Sequence, residues 1–216
     1  MKIAIISRNW FTETKGGAER YIYELAKGLI DRGHDIITVS RQNSDLPNEH
    51  MKVWTPAVAM VGSALFSLLG ARKLKGKDVS AVIVNQFWAE MATNYLDGPS
   101  VLVIHDVGLF ESAIAQRRRA RHFFRKRILK RAVRKASKII VPSKLTSDQL
   151  VKHLDVPREK IVLVPEGVDL QLLRPREGEP SRKRILCTGR FSPNKGHMYL
   201  IEAFETFRRE TGRLHG

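Results

Sequence analysis

The first residues whose types and spacing suit chemistry are two adjacent glycines, Gly16 and Gly17, which lie between an apolar run and an amphipathic segment. Because glycine has no Cβ, the backbone there can turn tightly and a ligand can approach it closely. The first amides of a following helix have no partner within the helix and favour negative charge. The pair therefore suits an anion such as a diphosphate, although a plain loop between a strand and a helix fits it equally well.

The residues around this pair predict the elements that would position it. Residues 2–7 are a short apolar run and predict a buried strand. The next segment carries apolar residues at helical spacing, at Ala18, Ile22, Leu25, Ala26, Leu29 and Ile30. Gly33 follows where a helix commonly ends. Further strands are predicted at 34–40, 51–54, 79–85, 100–105, 138–142 and 160–164, with helices at 63–75, 87–96, within 110–138 and at 143–154.

Strands alternate with helices along this part of the chain, and most strands are continuous apolar runs. That pattern is typical of an α/β domain with a doubly wound parallel sheet that is covered on both faces. Ligands of such domains bind at the carboxyl ends of the strands. Four pairs of residues fall at such ends: Gly16 with Gly17, Asn85 with Gln86, His105 with Asp106, and Pro142 with Ser143. Their convergence favours a ligand site there.

The bulk properties limit the partners. The chain has 216 residues, with 38 lysines and arginines against 22 acidic residues, and a net charge of +16. Such a surface seeks nucleic acid, anionic lipid or phosphorylated substrates. Cys187 is the sole cysteine, which excludes an internal disulfide and fits a reducing, cytoplasmic compartment. The uncharged run at 53–71 is broken by Pro56 and Gly62, so we expect a partly buried helix rather than a membrane span.

The last third of the chain has a different organisation. Residues 174–183 are polar and contain two prolines and a glycine, which indicates a linker. A strand over 184–188, a loop over 189–196 and a helix over about 197–211 are predicted after it. The sequence thus predicts a first domain at 1–173, the linker, and the first strand–loop–helix unit of a second domain at 184–216.

Four segments occur in order along the chain: GGAERYIYELAKGLIDRGHDIITVS at 16–40, VPSKLTSDQL at 141–150, VPEGVD at 164–169 and GRFSPNKGHMYLIEAF at 189–204. Together they resemble the group 1 (family 4) retaining glycosyltransferases of the GT-B fold. The resemblance implies a Rossmann-like N-terminal, acceptor-side domain at 1–173 and the start of a C-terminal nucleotide-sugar-binding domain. It covers the whole chain, but only the first half to two thirds of a usual family member.

The resemblance also implies roles for particular residues. A nucleotide-diphosphate sugar would be the donor substrate, with no cofactor and no metal ion. Gly16 and Gly17 would approach its diphosphate, Arg190 and Lys195 would clamp the phosphates, and His105 would act as the catalytic residue against the transferred sugar. Transfer leaves negative charge on the departing diphosphate, which a helix N-terminus and two cations would stabilise. The alternatives without a functional role are that Arg190 and Lys195 are solvated surface cations and that His105 is a structural histidine.

The sequence departs from the family in two places. Many relatives have Asn where this chain has Glu166, and the family's Glu-x7-Glu motif is expected further along than Gly216, beyond the second-domain segment present here. The chain would then be a truncated product, a half that needs a partner chain to supply the C-terminal half, or a degenerate relative without catalysis. The sugar, nucleotide, acceptor and oligomeric state are not specified by the sequence.

A strongly basic stretch occupies residues 110–138, where basic residues interleave with apolar and aromatic ones. A basic amphipathic helix suits an anionic membrane surface, so we expect a protein peripheral to the inner face of the cell membrane. A nucleic-acid-binding face ranks lower because no recognised nucleic-acid motif is present, and a solvated helix packed on the sheet is the third alternative. The residues expected to form this polyanion surface are Arg118, Arg121, Arg125, Arg127, Lys130 and Arg134.

Overall fold

The computed structural model describes residues 1–56, 59–86, 89–107, 119–171, 173–174 and 185–212. They form two compact units, Met1–Gly167 and Val168–Gly216, and each is described by itself. The linker expected at 174–183 lies outside the described residues except for Arg174.

The first unit is built on a parallel sheet of seven strands in the order β3-β2-β1-β4-β5-β6-β7. Every neighbouring pair is parallel, so each connection crosses over the sheet. The strands are β1 (Lys2–Ile6), β2 (Asp35–Ser40), β3 (Glu49–Lys52), β4 (Ala81–Asn85), β5 (Ser100–Val103), β6 (Lys138–Val141) and β7 (Ile161–Leu163). This architecture confirms the doubly wound α/β fold that the alternating pattern predicts.

Helices cover both faces of the sheet. The α-helices are α1 (Gly17–Asp31), α2 (Ala59–Lys73), α3 (Arg119–Lys135), α4 (Lys144–Leu154) and, in the second unit, α5 (His197–Thr211). Helix α1 packs through Ile22 and Ala26 against Ile3 and Ile5 on one face. The other face carries α2, α3, α4 and a 3-10 helix at Glu90–Tyr95, over a larger apolar core. The inner strands are near-continuous apolar runs because both of their faces are buried.

Local signals account for most of these boundaries. Gly33 follows α1 with φ of 79°, a left-handed conformation that glycine adopts without strain. Ser143 caps α4, since its side chain accepts a hydrogen bond from the Thr146 amide at 3.1 Å. The edge strand β3 lies two residues earlier than the predicted 51–54, because pairing with β2, from Ile37 opposite Glu49, sets its register. The helix expected at 87–96 is the 3-10 helix, and residues 87 and 88 lie outside the described part.

The second unit contains α5 as predicted, together with a 3-10 turn at Pro193–Lys195. Residues 185–188, however, form no strand in the part of this unit that the structure describes, and Leu186 is 84% exposed. A strand needs a neighbouring strand for its backbone hydrogen bonds, which an apolar run alone does not supply. Within the described residues, no helix is both long enough and apolar enough to cross a bilayer.

Candidate functional site

The polar residues of the first unit that could take part in catalysis or binding lie where β1, β4 and β5 end. The strand order changes direction at β1, which pairs with β2 on one side and with β4 on the other. In doubly wound sheets this switch point opens a crevice at the carboxyl ends of the strands. Ser7 follows β1, Asn85 ends β4, and His105 lies two residues after β5. The structure therefore brings the predicted strand-end residues to one edge of the sheet.

Asn85 is the side chain that joins these elements. It is 2% exposed, and its Nδ2 donates to the Ser7 hydroxyl at 3.2 Å and to the Ala18 carbonyl at 3.4 Å. Its Oδ1 lies 2.9 Å from His105 Nε2. Because Nδ2 is occupied by oxygen acceptors, Oδ1 is the acceptor toward the imidazole. Asn85 thus fixes the His105 tautomer with a proton on Nε2 and ties His105 to the first turn of α1.

Gln86 holds the backbone of the next loop. Its Oε1 accepts from the amides of His105 at 2.8 Å and Asp106 at 3.2 Å, while its Nε2 donates to the Asp106 carbonyl at 2.8 Å. The His105 carbonyl also accepts a longer contact from Thr146 Oγ1 at 3.5 Å. These contacts fix the backbone of His105, and Asn85 fixes its ring. The sequence predicts only that Gln86 lies at a strand end, because its partners are about twenty residues away along the chain.

The His105 ring is largely enclosed. Tyr21 of α1 packs edge-on against it with ring centroids 5.1 Å apart, and Glu166 Oε1 lies 3.5 Å from Nδ1. The side chain of His105 is 8% exposed and that of Glu166 is 54% exposed. Burial lowers the pKa of His105 and the Glu166 carboxylate opposes that shift. Burial therefore favours the neutral form of the His105 ring, whose Nδ1 faces the Glu166 carboxylate.

This arrangement makes the Glu166→Gln substitution informative. Removing the carboxylate removes the main influence that raises the His105 pKa, so we expect that pKa to fall further below its ordinary value of about 6.5. Between the folded and unfolded pKa values the unfolded chain binds more protons, so stability rises with pH across that window and is lost as pH falls through the folded value. The Glu166→Gln substitution should therefore widen the pH range between the folded and unfolded pKa values of His105.

The measurement is an NMR titration of the His105 ring in both proteins, accompanied by urea unfolding from pH 7 to pH 5. His50 also has a pKa lowered by burial, so its ring serves as an internal control that should not move. An unchanged His105 titration would mean that Glu166 does not act on the ring in solution.

The glycine pair lies at the start of α1, where Gly16 is the N-cap. Gly16 has φ of −134° and ψ of 159°, which any residue adopts, and an added Cβ would meet only the flexible carboxylate end of Glu19. An added Cβ at Gly17 would have nothing within 4 Å. The fold therefore requires glycine at neither position. Gly17 borders open space and Gly16 borders the Glu19 carboxylate, next to the Ala18 carbonyl that Asn85 holds.

Arg190 and Lys195 belong to the second unit. Both are exposed and lie in one short loop, where Lys195 ends the 3-10 turn and its side chain lies over Gly189. Gly196 follows with φ of 70° and is the N-cap of α5. The structure thus places the two cations in the same loop before a helix start. Their pairing with Gly16 and Gly17 stays a prediction.

The basic surface is partly described. Helix α3 packs through Leu129, Ala132 and Val133, which are at most 6% exposed. Its outer side, together with Met91, Asn94 and Tyr95, lines a groove of about 650 Å³ whose basic residues are Arg127, Lys130, Arg131 and Arg134. Lys130 pairs with Asp155 at 2.5 Å. Arg125 is half-buried. Arg118 and the side chain of Arg121 lie outside the described residues.

Solved structures share this architecture. A glycosyltransferase from Rickettsia africae ESF-5 matches with a TM-score of 0.63 at 17% identity, over 96% of this chain and 57% of that one. A sucrose-phosphate synthase from Thermosynechococcus elongatus matches with 0.67 at 15%, over 81% and 50%. WaaG, a glycosyltransferase involved in lipopolysaccharide biosynthesis, matches with 0.59 at 18%, over 77% and 45%. At such identities the likeness establishes the fold.

The chain spans about half the length of these solved structures. No curated protein matches it significantly. The model of glycosyltransferase family 4 matches residues 15–172, which include the glycine pair, Asn85, His105 and Glu166. That match covers well over half of the 216 residues and agrees with the family that the four ordered segments resemble. The chain belongs to glycosyltransferase family 4.

Proposed function

We propose that this chain forms the acceptor-side part of a retaining glycosyltransferase that moves a sugar from a nucleotide-diphosphate sugar to an acceptor hydroxyl. In that reaction the bond between the anomeric carbon and the diphosphate oxygen breaks. A bond to the acceptor oxygen forms on the same face, and the hydroxyl proton leaves to the departing diphosphate. The negative charge that develops on the diphosphate is what the site must stabilise.

The glycine pair is the observation that carries the proposal. Neither the backbone conformation nor the packing at Gly16 and Gly17 calls for glycine. Two residues without side chains beside the free amides of α1 leave room for a phosphate against the positive end of the helix. Glu19 lies against Gly16, so its carboxylate would have to turn away when a diphosphate binds.

His105 would then face the transferred sugar. Asn85 orients its ring, Gln86 holds its backbone amide, and Thr146 Oγ1 contacts its backbone carbonyl. A neutral imidazole and a fixed carbonyl can accept hydrogen bonds from sugar hydroxyls and favour the positive charge that develops at the anomeric carbon. Arg190 and Lys195 of the second unit would complete the site by neutralising the leaving diphosphate.

The test is transfer or hydrolysis of nucleotide-diphosphate sugars by this chain alone, and by the chain combined with a second Rossmann-like domain from a family member. We expect turnover in the combined form at least. Retention is read from the anomeric configuration of the product by NMR. A complete lack of turnover in both forms, across uridine, guanosine and adenosine donors, would refute the enzymatic function.

The Gly17→Ala substitution separates ligand binding from folding. An alanine at this first helical position meets no atom within 4 Å and replaces a poor helix former, so we expect the free energy of unfolding to rise by about 0.5 kcal/mol. The same methyl group would occupy the space of a donor phosphate, so donor affinity should fall by about tenfold or more.

Urea unfolding and calorimetric titration with the donor measure the two effects. Gly28→Ala, in the middle of the same helix, is the matched control, because its added Cβ meets only the flexible end of Arg32 at 3.4 Å. Unchanged donor affinity in Gly17→Ala would remove the glycine pair from the site.

We further propose that the basic surface of α3 docks the protein on anionic membrane. The exposed cations of the groove lie beside Tyr95 and near Phe123, which is 57% exposed and lies under Arg127. Each basic residue near an anionic surface contributes about 1 kcal/mol. The same surface would serve the alternative function, a non-catalytic module that binds membrane or a partner chain without turnover.

Charge reversal tests this docking. We expect Arg125→Glu, Arg127→Glu and Lys130→Glu together to weaken binding to phosphatidylglycerol vesicles by about a hundredfold or more, since at least three favourable contributions are lost. Flotation is the measurement. The matched control reverses three exposed cations on or beside α1: Lys15, Lys27 and Arg32. Binding that survives the α3 reversal, or that is equally strong on phosphatidylcholine, would contradict the membrane role.

A further inference from the structure

A cluster of positively charged residues lies next to the candidate site of Asn85 and His105, at the carboxyl ends of β1, β2 and β3. Its main member is Arg8, which directly follows Ser7, the hydroxyl bound by Asn85. Arg8 is 8% exposed, and its Nε has no hydrogen-bond partner among the described residues. A buried guanidinium without an acceptor costs folding energy, and buried polar groups are otherwise nearly always satisfied. An unsatisfied group of this kind needs an explanation outside the packing of the chain.

The charges around Arg8 are also positive. The backbone of Arg41, just after β2, donates from its amide to the Arg8 carbonyl at 3.1 Å, so the two arginines leave the sheet side by side. Burial and then the charge of Arg41 lower the Arg8 pKa, and no acidic group counts among the causes. Two neighbouring cations for which the described residues supply no counter-ion form a field that favours an anion.

The first turn of α2 contacts the same guanidinium. A Cβ added at Gly62 would lie 3.3 Å from Arg8 Nη2 and 2.1 Å from the Pro56 carbonyl oxygen. Glycine at this position therefore lets both the arginine and the preceding loop reach the backbone of the helix. The amino-terminal turn of a helix adds partial positive charge, and Arg8 is directed into that turn.

Thr55 supplies a further unsatisfied group. It immediately precedes Pro56, is 1% exposed, and its Oγ1 has no partner within the described residues. A hydroxyl, a guanidinium and a helix start are the groups that proteins use to hold phosphoryl oxygens. Thr55 follows β3 and precedes Pro56, whose carbonyl reaches the same turn of α2 as Arg8, so the three groups belong to the region where β1, β2 and β3 end.

We propose that Arg8, Arg41, Thr55 and the first turn of α2 form a binding site for a phosphoryl group of the acceptor. The identification of the ligand as the acceptor rests on the proposed function, whereas the anion site itself does not. A phosphoryl dianion neutralises the charge of two adjacent cations, whereas a neutral sugar hydroxyl does not. The enzyme would accordingly prefer phosphorylated acceptors over their unphosphorylated forms.

The first test is binding of inorganic phosphate to the full chain, measured as the rise in Tm against sodium chloride of equal ionic strength. We expect a saturable rise for the natural protein, and an affinity reduced by about ten- to hundredfold in Arg8→Gln, since one charge-assisted contact is lost. Arg72→Gln removes an exposed cation at the far end of the same helix and should bind phosphate as the natural protein does. Equal responses in Arg8→Gln and Arg72→Gln, or no saturable response at all, would overturn the proposal.

Stability separates this role from a structural one. Without phosphate, Arg8→Gln should unfold at the same urea concentration as the natural protein or at a higher one, because an unpaired buried charge is removed. Thr55→Val keeps the shape of the side chain and provides a second variant, for which we expect weaker phosphate binding without loss of stability. Unimpaired phosphate binding in Thr55→Val, or a marked loss of stability in both variants, would assign these residues to the packing instead.

The source of the phosphoryl group is distinguished by comparing soluble phosphate with phosphatidic acid vesicles. Loss of the soluble response alone in Arg8→Gln indicates a soluble phosphorylated acceptor, and loss of both responses indicates a lipid headgroup. Neither measurement involves the donor or turnover. A failure of the anion site is therefore distinguishable from a failure of the transferase function.

Discussion

Replacing Asn85 with alanine should lower the free energy of unfolding by about 3 kcal/mol. The side chain is 2% exposed and bonds to Ser7, to the Ala18 carbonyl and to His105. Truncation leaves three polar groups without this partner, and each buried unsatisfied group costs about 1–3 kcal/mol unless water reaches it. The loss falls on three other elements at once, because Asn85, at the end of β4, bonds to the end of β1, to the start of α1 and to the loop after β5.

Urea unfolding measures this loss. Asn43→Ala, at an exposed position, is the matched control and should change stability by no more than about 0.5 kcal/mol. The His105 ring gives a second readout, since without Asn85 the Nε2 proton should exchange faster and the ring signals should broaden. A loss below about 1 kcal/mol, with unchanged ring signals, would show that the three groups find other partners and that Asn85 does not organise the site.

The fold was largely predictable because its signals are local. Helix α1 is delimited by glycines at both ends and has a regular apolar stripe, and the inner strands are continuous apolar runs. The predicted strand boundaries were wrong where pairing with a neighbouring strand determines whether a strand forms. Strand β3 has the polar sequence EHMK and exists because β2 offers it hydrogen bonds. Residues 185–188 are apolar and form no strand, since no described strand of their unit pairs with them.

The positions of the candidate site residues were predictable from the sequence, and their contacts were not. Strand ends of a parallel sheet meet at one edge, so Gly16, Asn85 and His105 could be placed together from the pattern alone. The approach of Glu166 to His105 spans about sixty residues, and no local pattern encodes it. Arg8 is similar: in the sequence it is one cation among 38 basic residues, and only burial without a partner distinguishes it from the others.

The largest effect on function is expected at His105. In the form of the protein that turns over the donor, His105→Ala should lower kcat by about 10²- to 10³-fold, the usual loss when one preorganised hydrogen-bonding group is removed from a transition state. Donor KM should change little if the ring acts mainly in the transition state. His34→Ala, at the far end of α1 and outside the site, is the matched control and should retain full activity.

The two ways in which His105 could act give different results. If the ring contacts the sugar, His105→Ala and His105→Phe should both lose activity, while Gln86→Leu, which frees the backbone amides of His105 and Asp106, should lose less. If the backbone carbonyl of His105 contacts the sugar instead, His105→Ala should remain active and Gln86→Leu should not. The firm bond from Asn85 to the ring, at 2.9 Å, against the 3.5 Å contact from Thr146 to the carbonyl, leads us to expect the first pattern. Full activity of all three variants would make His105 a structural residue of the strand end.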